Sequence, residues 1–207
     1  MHKTTAVIVT FNSREVVGAC ISSLNKDASV RILIVDNAST DNTVSFIKKN
    51  FPRIEIIVNT ANLGFSSGNN IGIKNALRAK SDYILIVNPD TVLDEKCLQQ
   101  LLFQAKTHIE PQILGPKIYR NDKRIWSVGG EIDRLRYSAK LIGLGEIDQG
   151  QFEEVREVSY VSGTCMLLPR ELCETNLRFY EPYFMYYEDV EFCLKAKHIG
   201  FPSLVIP

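Results

Sequence analysis

Tyr83-Ile84-Leu85-Ile86-Val87-Asn88-Pro89-Asp90 sets five apolar residues side by side and then stops on Asn-Pro-Asp. A run of that length, with no polar alternation and turn residues at its end, reads as a strand buried on both faces. Three earlier stretches have the same character: Ala6-Val7-Ile8-Val9, Ile32-Leu33-Ile34-Val35 and Ile54-Glu55-Ile56-Ile57-Val58. Between them the period changes to that of a helix. Val17, Cys20, Ile21 and Leu24 recur at i, i+3, i+4 and i+7, as do Leu98, Leu101, Leu102 and Ala105 after the fourth strand. Asn12 with Glu15 has the spacing of a capping box, and Ser39-Thr40-Asp41 offers N-cap oxygens to the next helix. Strand–helix alternation of this kind predicts an α/β fold with a mostly parallel central sheet flanked by helices.

After Pro111 the rhythm alters. Strands are expected over Ile113–Ile118 and Val158–Leu168, and the stretch from Asn121 to Gly150 reads as loop. A last helix is expected from about Glu188 to His198, with Val190, Cys193 and Leu194 turned inward and Gly200 as its stop. Ser203-Leu204-Val205-Ile206-Pro207 reads as a strand that ends at once, which points to a truncated chain. The expected organisation is one domain over residues 1–207, with a first half to residue 110 and a second half from residue 111.

Composition bounds the function. The chain has 207 residues, 45% hydrophobic and 23% charged, with 24 basic against 24 acidic side chains. A zero net charge argues against broad attraction to nucleic acid or anionic lipid. The basic stretch of Lys117, Arg120, Lys123 and Arg124 has acidic neighbours and reads as a solvated edge. Five widely spaced cysteines without a C-x-x-C pair suggest neither a disulfide framework nor a zinc knuckle, and fit a reducing cytosol. No apolar run approaches the ~20 residues that span a bilayer. His2, His108 and His198 show no metal or triad spacing and read as surface residues.

In an open parallel sheet, ligands bind beyond the carboxyl ends of the strands. All four ends here are polar: Thr10-Phe11-Asn12, Asp36-Asn37, Asn59 to Gly64, and Asn88-Pro89-Asp90. Asp36 has the chemistry to accept from a pyrimidine N3–H or a ribose hydroxyl, or to serve as a turn residue. Asp90, fixed by the preceding proline, suits a divalent cation that takes one protein carboxylate and its other ligands from phosphate and water. Asn62 to Asn70 opens a helix with small residues whose free N–H groups can face a phosphate. It matches neither dinucleotide nor P-loop glycine patterns. Glu188 and Asp189 open the last helix behind the aromatic run Phe184-Met185-Tyr186-Tyr187. There they suit either the helix dipole or a general base acting on a hydroxyl. Trp126, the only tryptophan, suits packing or stacking on a sugar or base.

Taken in order, Val7-Ile8-Val9-Thr10-Phe11-Asn12, Val35-Asp36-Asn37-Ala38-Ser39-Thr40-Asp41, Asn62-Leu63-Gly64-Phe65 with Gly68-Asn69, Val87-Asn88-Pro89-Asp90, Ser162-Gly163 and Tyr187-Glu188-Asp189 cover nearly the whole chain. This ordered set resembles the family 2 inverting glycosyltransferases of the GT-A fold, in particular the rhamnosyltransferase-like branch. The resemblance implies a UDP- or dTDP-sugar donor whose nucleoside is held by Thr10, Asn12 and Asp36. Asn62, Gly64, Gly68 and Asn88 complete the expected donor site. It makes Asp90 the ligand of Mg²⁺ or Mn²⁺ and Asp189 the catalytic base. Glu188, Trp126 and Gly163 are then expected to meet a glycan or lipid-linked acceptor. Surface polysaccharide synthesis at the inner face of the cell membrane, peripheral membrane association and a homodimer all follow from the resemblance alone.

Two departures from the family pattern stand out. The D-x-D motif is Asn88-Pro89-Asp90 here, without its first carboxylate, and no histidine matches the one that relatives carry in their C-terminal part. A sugar-1-phosphate nucleotidyltransferase needs a Gly-rich basic loop after the first strand, and Thr10-Phe11-Asn12-Ser13-Arg14 is not one. The alternative left is a non-catalytic or truncated domain that binds nucleotide-sugar or carbohydrate. Donor hydrolysis without an acceptor separates the two.

Overall fold

The computed structural model describes residues 3–207 apart from 27–28, 108–109, 134 and 136–137. His2 and His108 therefore lie outside the described residues, and His198 is exposed. The first half alternates as its periodicity demands: β1 (Thr4–Thr10), α1 (Val17–Leu24), β2 (Val30–Asp36), α2 (Thr43–Asn50), β3 (Glu55–Val58), α3 (Gly64–Arg78), β4 (Tyr83–Val87) and α4 (Cys97–Thr107). There follow β5 (Ile113–Pro116), β6 (Ile118–Tyr119), β7 (Ile125–Ser127), β8 (Gly130–Asp133), β9 (Ser138–Leu141), β10 (Arg156–Val158) and β11 (Cys165–Pro169). The last elements are α5 (Arg170–Glu174), α6 (Glu188–His198) and β12 (Ser203–Ile206).

Eight strands form one sheet in the order β10-β12-β5-β11-β4-β1-β2-β3. β4, β1, β2 and β3 run parallel, in the register Thr10↔Asp36↔Val58 at their carboxyl ends. β11 runs antiparallel between β4 and β5, and β12 lies parallel to β5. The carboxyl ends of the parallel strands therefore share one rim with the start of β11. Topology alone brings Gly163 and Thr164, from the second half, beside Asn88 from the first.

Strand alternation separates two cores. Ala6, Ile8, Ile32, Ile34, Leu85, Val87, Cys165 and Leu167 face α1, α2 and α4, whereas Val7, Leu33, Val35, Ile84, Ile86, Met166 and Leu168 face α3, α5 and α6. Successive residues of β1, β2 and β4 thus both bury, which is why those runs carry no polar alternation. β3, expected to be buried on both faces as well, is instead the edge strand and is only half-buried, with Glu55 and Val58 exposed. α3 lies close to β1 because its inner positions are Gly68 and Gly72. A Cβ at Gly72 would fall 2.1 Å from Val7 Cγ1, and one at Gly68 2.7 Å from Val9 Cγ1.

Several local expectations need correction. The stretch 121–150 contains β7 to β9, short strands in two-stranded pairs rather than loop alone. The run 158–168 is split into β10 and β11 by Ser159–Thr164. α6 buries Phe192, Cys193 and Ala196 and turns Leu194 out, so its inner stripe is set by Phe192. Asn12 and Glu15 form no capping box: α1 begins at Val17, and Asn12 has φ +49° in the left-handed region. Lys117 is not a solvated charge. Its side chain is 7% exposed and pairs with Asp148 at 2.8 Å and Glu153 at 2.7 Å.

Candidate active site

At the ends of β1 and β2 the rim is tied together by Asp36. Its carboxylate is fully buried and accepts three hydrogen bonds: Thr10 Oγ1 at 2.8 Å, Ser39 Oγ at 2.6 Å and Ser39 N at 2.9 Å. A buried carboxylate needs such partners, because an unpaired one costs far more than an unpaired neutral group. Asp36 braces the loop and, like the equally buried Thr10, has no exposed surface for a ligand, so the nearest outlets of this wall to a donor are Ser39 and Asn12. Beside it, Asn12 Oδ1 accepts from Thr40 N at 2.8 Å and Asn12 N donates to Ser39 Oγ at 2.9 Å. Ser13 N and Arg14 N likewise donate to Thr43 Oγ1 and Asp41 Oδ2. Asp41 Oδ1 accepts from Thr43 N, so one of the expected capping oxygens does serve α2. The two loops after β1 and β2 are thereby stitched into one wall.

Asn37 extends that wall to β3 and α3. Its backbone N–H bonds Thr10 O, its Oδ1 accepts from Asn59 Nδ2 at 2.8 Å, and its Nδ2 donates to Gly64 O at 3.0 Å. At the start of α3, two of the N–H groups expected to face a phosphate are already engaged. Gly64 N donates to Asn62 Oδ1, and Phe65 N donates to the backbone oxygen of Phe184 at 2.9 Å. Gly64 has φ +79°, and a Cβ on it would lie 2.6 Å from Phe184 O, so only glycine allows this approach. Gly68 faces Val9 and serves helix–sheet packing.

Asp90 is exposed at the end of β4, and among the described residues its carboxylate carries no hydrogen bond or ion pair. It borders a cavity of about 1250 Å³ shared with Asn88, Thr164, Lys117, Tyr119 and the half-buried Trp126. Among the described residues no three His, Cys, Asp or Glu side chains cluster as a ready-made metal cage. One free carboxylate still fits a divalent cation whose other ligands are diphosphate oxygens and water. Asp90 and Trp126, widely separated in sequence, share this cavity. Thr10, Asp36 and Asp189 do not line it.

Asn88 leads to the second carboxylate pair. Its N–H donates to Thr164 O at 2.9 Å, and the neighbouring Gly163 N donates to Asp189 Oδ2 at 2.9 Å. Gly163 is buried, and a Cβ there would stand 2.9 Å from Phe65 Cζ and 3.6 Å from Asp189 Cβ. Asp189 Oδ1 accepts from its neighbour Val190 N. Burial pushes the Asp189 carboxyl above the usual carboxylate range, against the lowering effect of the Gly163 and Val190 N–H groups. Glu188 is 5% exposed, and its Oε2 is buried without a hydrogen-bond partner among the described residues. Burial raises it to about 7, and the Asp189 charge adds to the rise. Burial likewise pushes the Tyr160 hydroxyl up to about 12, with Asp189 as the next contributor.

The structure thus joins Thr10, Asn12 and Asp36 in one wall, and links Asn88 to Asp189 through Thr164 and Gly163. Ser39, Asn37 and Tyr160 were not among the residues singled out from the sequence. The dipeptide Asp36-Asn37 carried a signal for Asn37, and Ser39 reads in sequence as a cap. Nothing in the sequence pointed to Tyr160.

The chain is similar to known proteins over most of its length. The chain is 25% identical over 192 residues to the low-salt glycan biosynthesis hexosyltransferase Agl10 of Haloferax volcanii, covering 92% of this chain and 60% of that protein. It is 26% identical over 204 residues to N-acetylglucosaminyl-diphospho-decaprenol L-rhamnosyltransferase of Mycobacterium tuberculosis, covering 89% of this chain and 66% of that protein. The chain thus spans about 60–66% of the length of these relatives. The crystal structure of S. aureus TarS 1–349 in complex with UDP-GlcNAc superposes with a TM-score of 0.68 at 20% identity, over 99% of this chain and 56% of that one. That likeness places the fold with the GT-A glycosyltransferases. Residues 5–177 match the family described as Glycosyl transferase family 2, and the chain belongs to that family.

Proposed function

We propose that this chain is the donor-binding and catalytic part of an inverting glycosyltransferase that moves a sugar from a UDP- or dTDP-sugar to a hydroxyl of a glycan or lipid-linked acceptor. The observation that carries the proposal is the pairing of two carboxylates with different environments on one rim. Asp90 is open and unengaged, and Asp189 is desolvated and held by Gly163 N–H. The name of the mycobacterial relative, with a decaprenol-linked acceptor and rhamnose as the sugar, supports a lipid-linked acceptor and rhamnose as the transferred sugar here. Among the described residues no helix is long and apolar enough to cross a membrane.

In this reading Asn12 and Ser39 meet the nucleoside, with the buried Thr10 and Asp36 as the internal brace of their wall. Asp90 would hold Mg²⁺ or Mn²⁺, which when bound neutralises charge on the diphosphate. Asp189 accepts the proton of the acceptor hydroxyl as that oxygen bonds to the anomeric carbon from the face opposite the leaving group. The nucleoside diphosphate leaves with the electron pair of the broken glycosidic bond. A desolvated base is stronger than an ordinary carboxylate, which suits removal of a hydroxyl proton near neutral pH. Glu188 lies next to the base with a buried unpaired oxygen and orients the acceptor hydroxyl. Asn62, Gly64 and Asn88 act by shaping the rim, and Trp126 offers an aromatic face to a sugar in the cavity beside Asp90.

The test is transfer kinetics of Asp189→Asn with nucleotide binding measured in parallel. Transfer falls ~10²–10⁴-fold, the range expected for loss of a general base, while donor affinity is retained. Equal transfer rates in wild type and variant would remove Asp189 as the base.

A further inference from the structure

The backbone that delivers Asp189 is held from one side by a single helix. Asn70 Nδ2 donates to Phe179 O at 2.8 Å, and Asn70 Oδ1 accepts from Phe179 N at 3.1 Å, so one side chain satisfies both polar groups of one residue. One turn earlier on the same face of α3, the fully buried Ser66 donates from Oγ to Tyr183 O at 2.6 Å. Phe65 N then bonds Phe184 O, with Gly64 directly beneath it. With a further bond from Asn70 Nδ2 to Glu181 Oε1 at 3.1 Å, five hydrogen bonds from the first two turns of α3 grip residues 179–184.

Apart from the packing of Phe179, the strap's other contacts among the described residues are local or at its surface, such as Tyr183 N to Tyr180 O at 3.0 Å and Lys195 Nζ 5.5 Å from the Tyr180 ring. Phe179 is buried, stacked on Phe192 of α6 at 4.4 Å and edge-on to Phe65 at 5.7 Å. Beyond it, Tyr180, Tyr183, Phe184, Met185, Tyr186 and Tyr187 are between 40% and 74% exposed, so their side chains contribute little packing. The strap ends in two successive left-handed residues, Tyr186 at φ +73° and Tyr187 at φ +67°, immediately before Glu188 and Asp189. For residues other than glycine that conformation is disfavoured by the clash of Cβ with the following carbonyl oxygen. It persists only where surrounding contacts over-determine it.

We propose that Asn70 and Ser66 are positioning residues for Asp189: by fixing the backbone of residues 179–184 they impose the left-handed pair that turns Asp189 towards Gly163 N–H. The proposal rests on reading Asp189 as the base. Its consequence is that the helix entered from the Asn59–Gly64 loop, on the donor side, also sets the base. Without the grip, Tyr186 and Tyr187 relax to ordinary conformations and Asp189 leaves its anchor, although neither Asn70 nor Ser66 touches a reacting atom.

The experiment compares Asn70→Ala, Ser66→Ala, Asp189→Asn and the double variant Asn70→Ala/Asp189→Asn. Transfer kinetics are measured for each, together with calorimetric affinity for UDP in the presence of Mn²⁺. Asn70→Ala is expected to lower kcat about 10- to 100-fold, the scale of an ~1 Å misplacement, with UDP affinity within about twofold of wild type. In the Asp189→Asn background the same substitution has no further effect, because a residue acting through Asp189 has nothing left to position. An unchanged kcat in Asn70→Ala overturns the proposal. So does a parallel loss of kcat and UDP affinity, or an equal loss in the Asp189→Asn background, since either marks a purely structural role. Should Asn70→Ala not fold, Ser66→Ala, which deletes a single hydrogen bond, carries the same readouts. If Asp189→Asn itself transfers as fast as wild type, the base reading fails. If it is inactive while Asn70→Ala and Ser66→Ala are normal, only the positioning role fails.

Discussion

Thr10→Val keeps the shape of a buried side chain and deletes the hydroxyl that donates to Asp36 Oδ1 at 2.8 Å. Both residues are 0% exposed, so no solvent replaces the lost donor. Asp36 keeps its two bonds from Ser39, and Oδ1 is left with Ser39 Oγ alone. A hydrogen bond to a charged group is worth about 1.5–3 kcal/mol, so a loss of about 2 kcal/mol is expected. In a domain of this size that lowers Tm by about 4–8 °C. Urea unfolding measures the change as a lower midpoint at constant m-value. Thr10→Ser retains the hydroxyl and gives up one methyl, about 0.8 kcal/mol, so it must be the milder change. The reasoning is refuted if Thr10→Val is as stable as wild type, or if Thr10→Ser is equally damaging. It is also refuted if Thr10→Val weakens UDP binding alone, because Asp36 would then face the ligand instead of bracing the wall.

Two further outcomes are expected. Glu188 titrates near 7 in the folded chain against about 4.5 unfolded, so between those values only the folded state holds the proton. Stability therefore declines as pH rises from about 4.5 to 7. Glu188→Gln should reduce that decline, leaving the smaller part due to Asp189, whose carboxyl is also raised by burial, and urea midpoints at pH 5 and pH 8 check it. Gly72→Ala brings a Cβ to within 2.1 Å of Val7 Cγ1. Overpacking of about 1–3 kcal/mol then exceeds or cancels the ~1 kcal/mol that alanine adds to helix propensity, and Val7→Ala in the same chain should recover stability in thermal unfolding.

β1, β2 and β4 are legible in the sequence because each buries both faces, leaving continuous apolar runs, whereas β3, at the sheet edge, is only half-buried and shows through its β-branched residues alone. Asp36 and Asp189 are visible as polar residues at element ends. What cannot be read there is the neighbour each one finds. Asp36 was expected to face a ligand, and its partners Thr10 and Ser39 come from two different loops. Gly68 was expected at a phosphate and instead admits Val9. The strands β7 to β9 escaped because they are three or four residues long and broken by glycines, below the length at which a period shows. The insertion of β12 between β10 and β5 is set by long-range pairing, to which local pattern is blind. The grip of Asn70 on Phe179 joins residues 109 apart and has no local signature.

Calorimetric titration with UDP and with dTDP, with and without Mn²⁺, on the wild-type chain and on Asp90→Ala, tests the central claim most directly. Binding of one nucleotide that is strengthened by Mn²⁺, with the metal-dependent part lost in Asp90→Ala, is the predicted result. No binding of either nucleotide, or binding that neither Mn²⁺ nor Asp90→Ala changes, would contradict a donor site built on the open carboxylate at the end of β4.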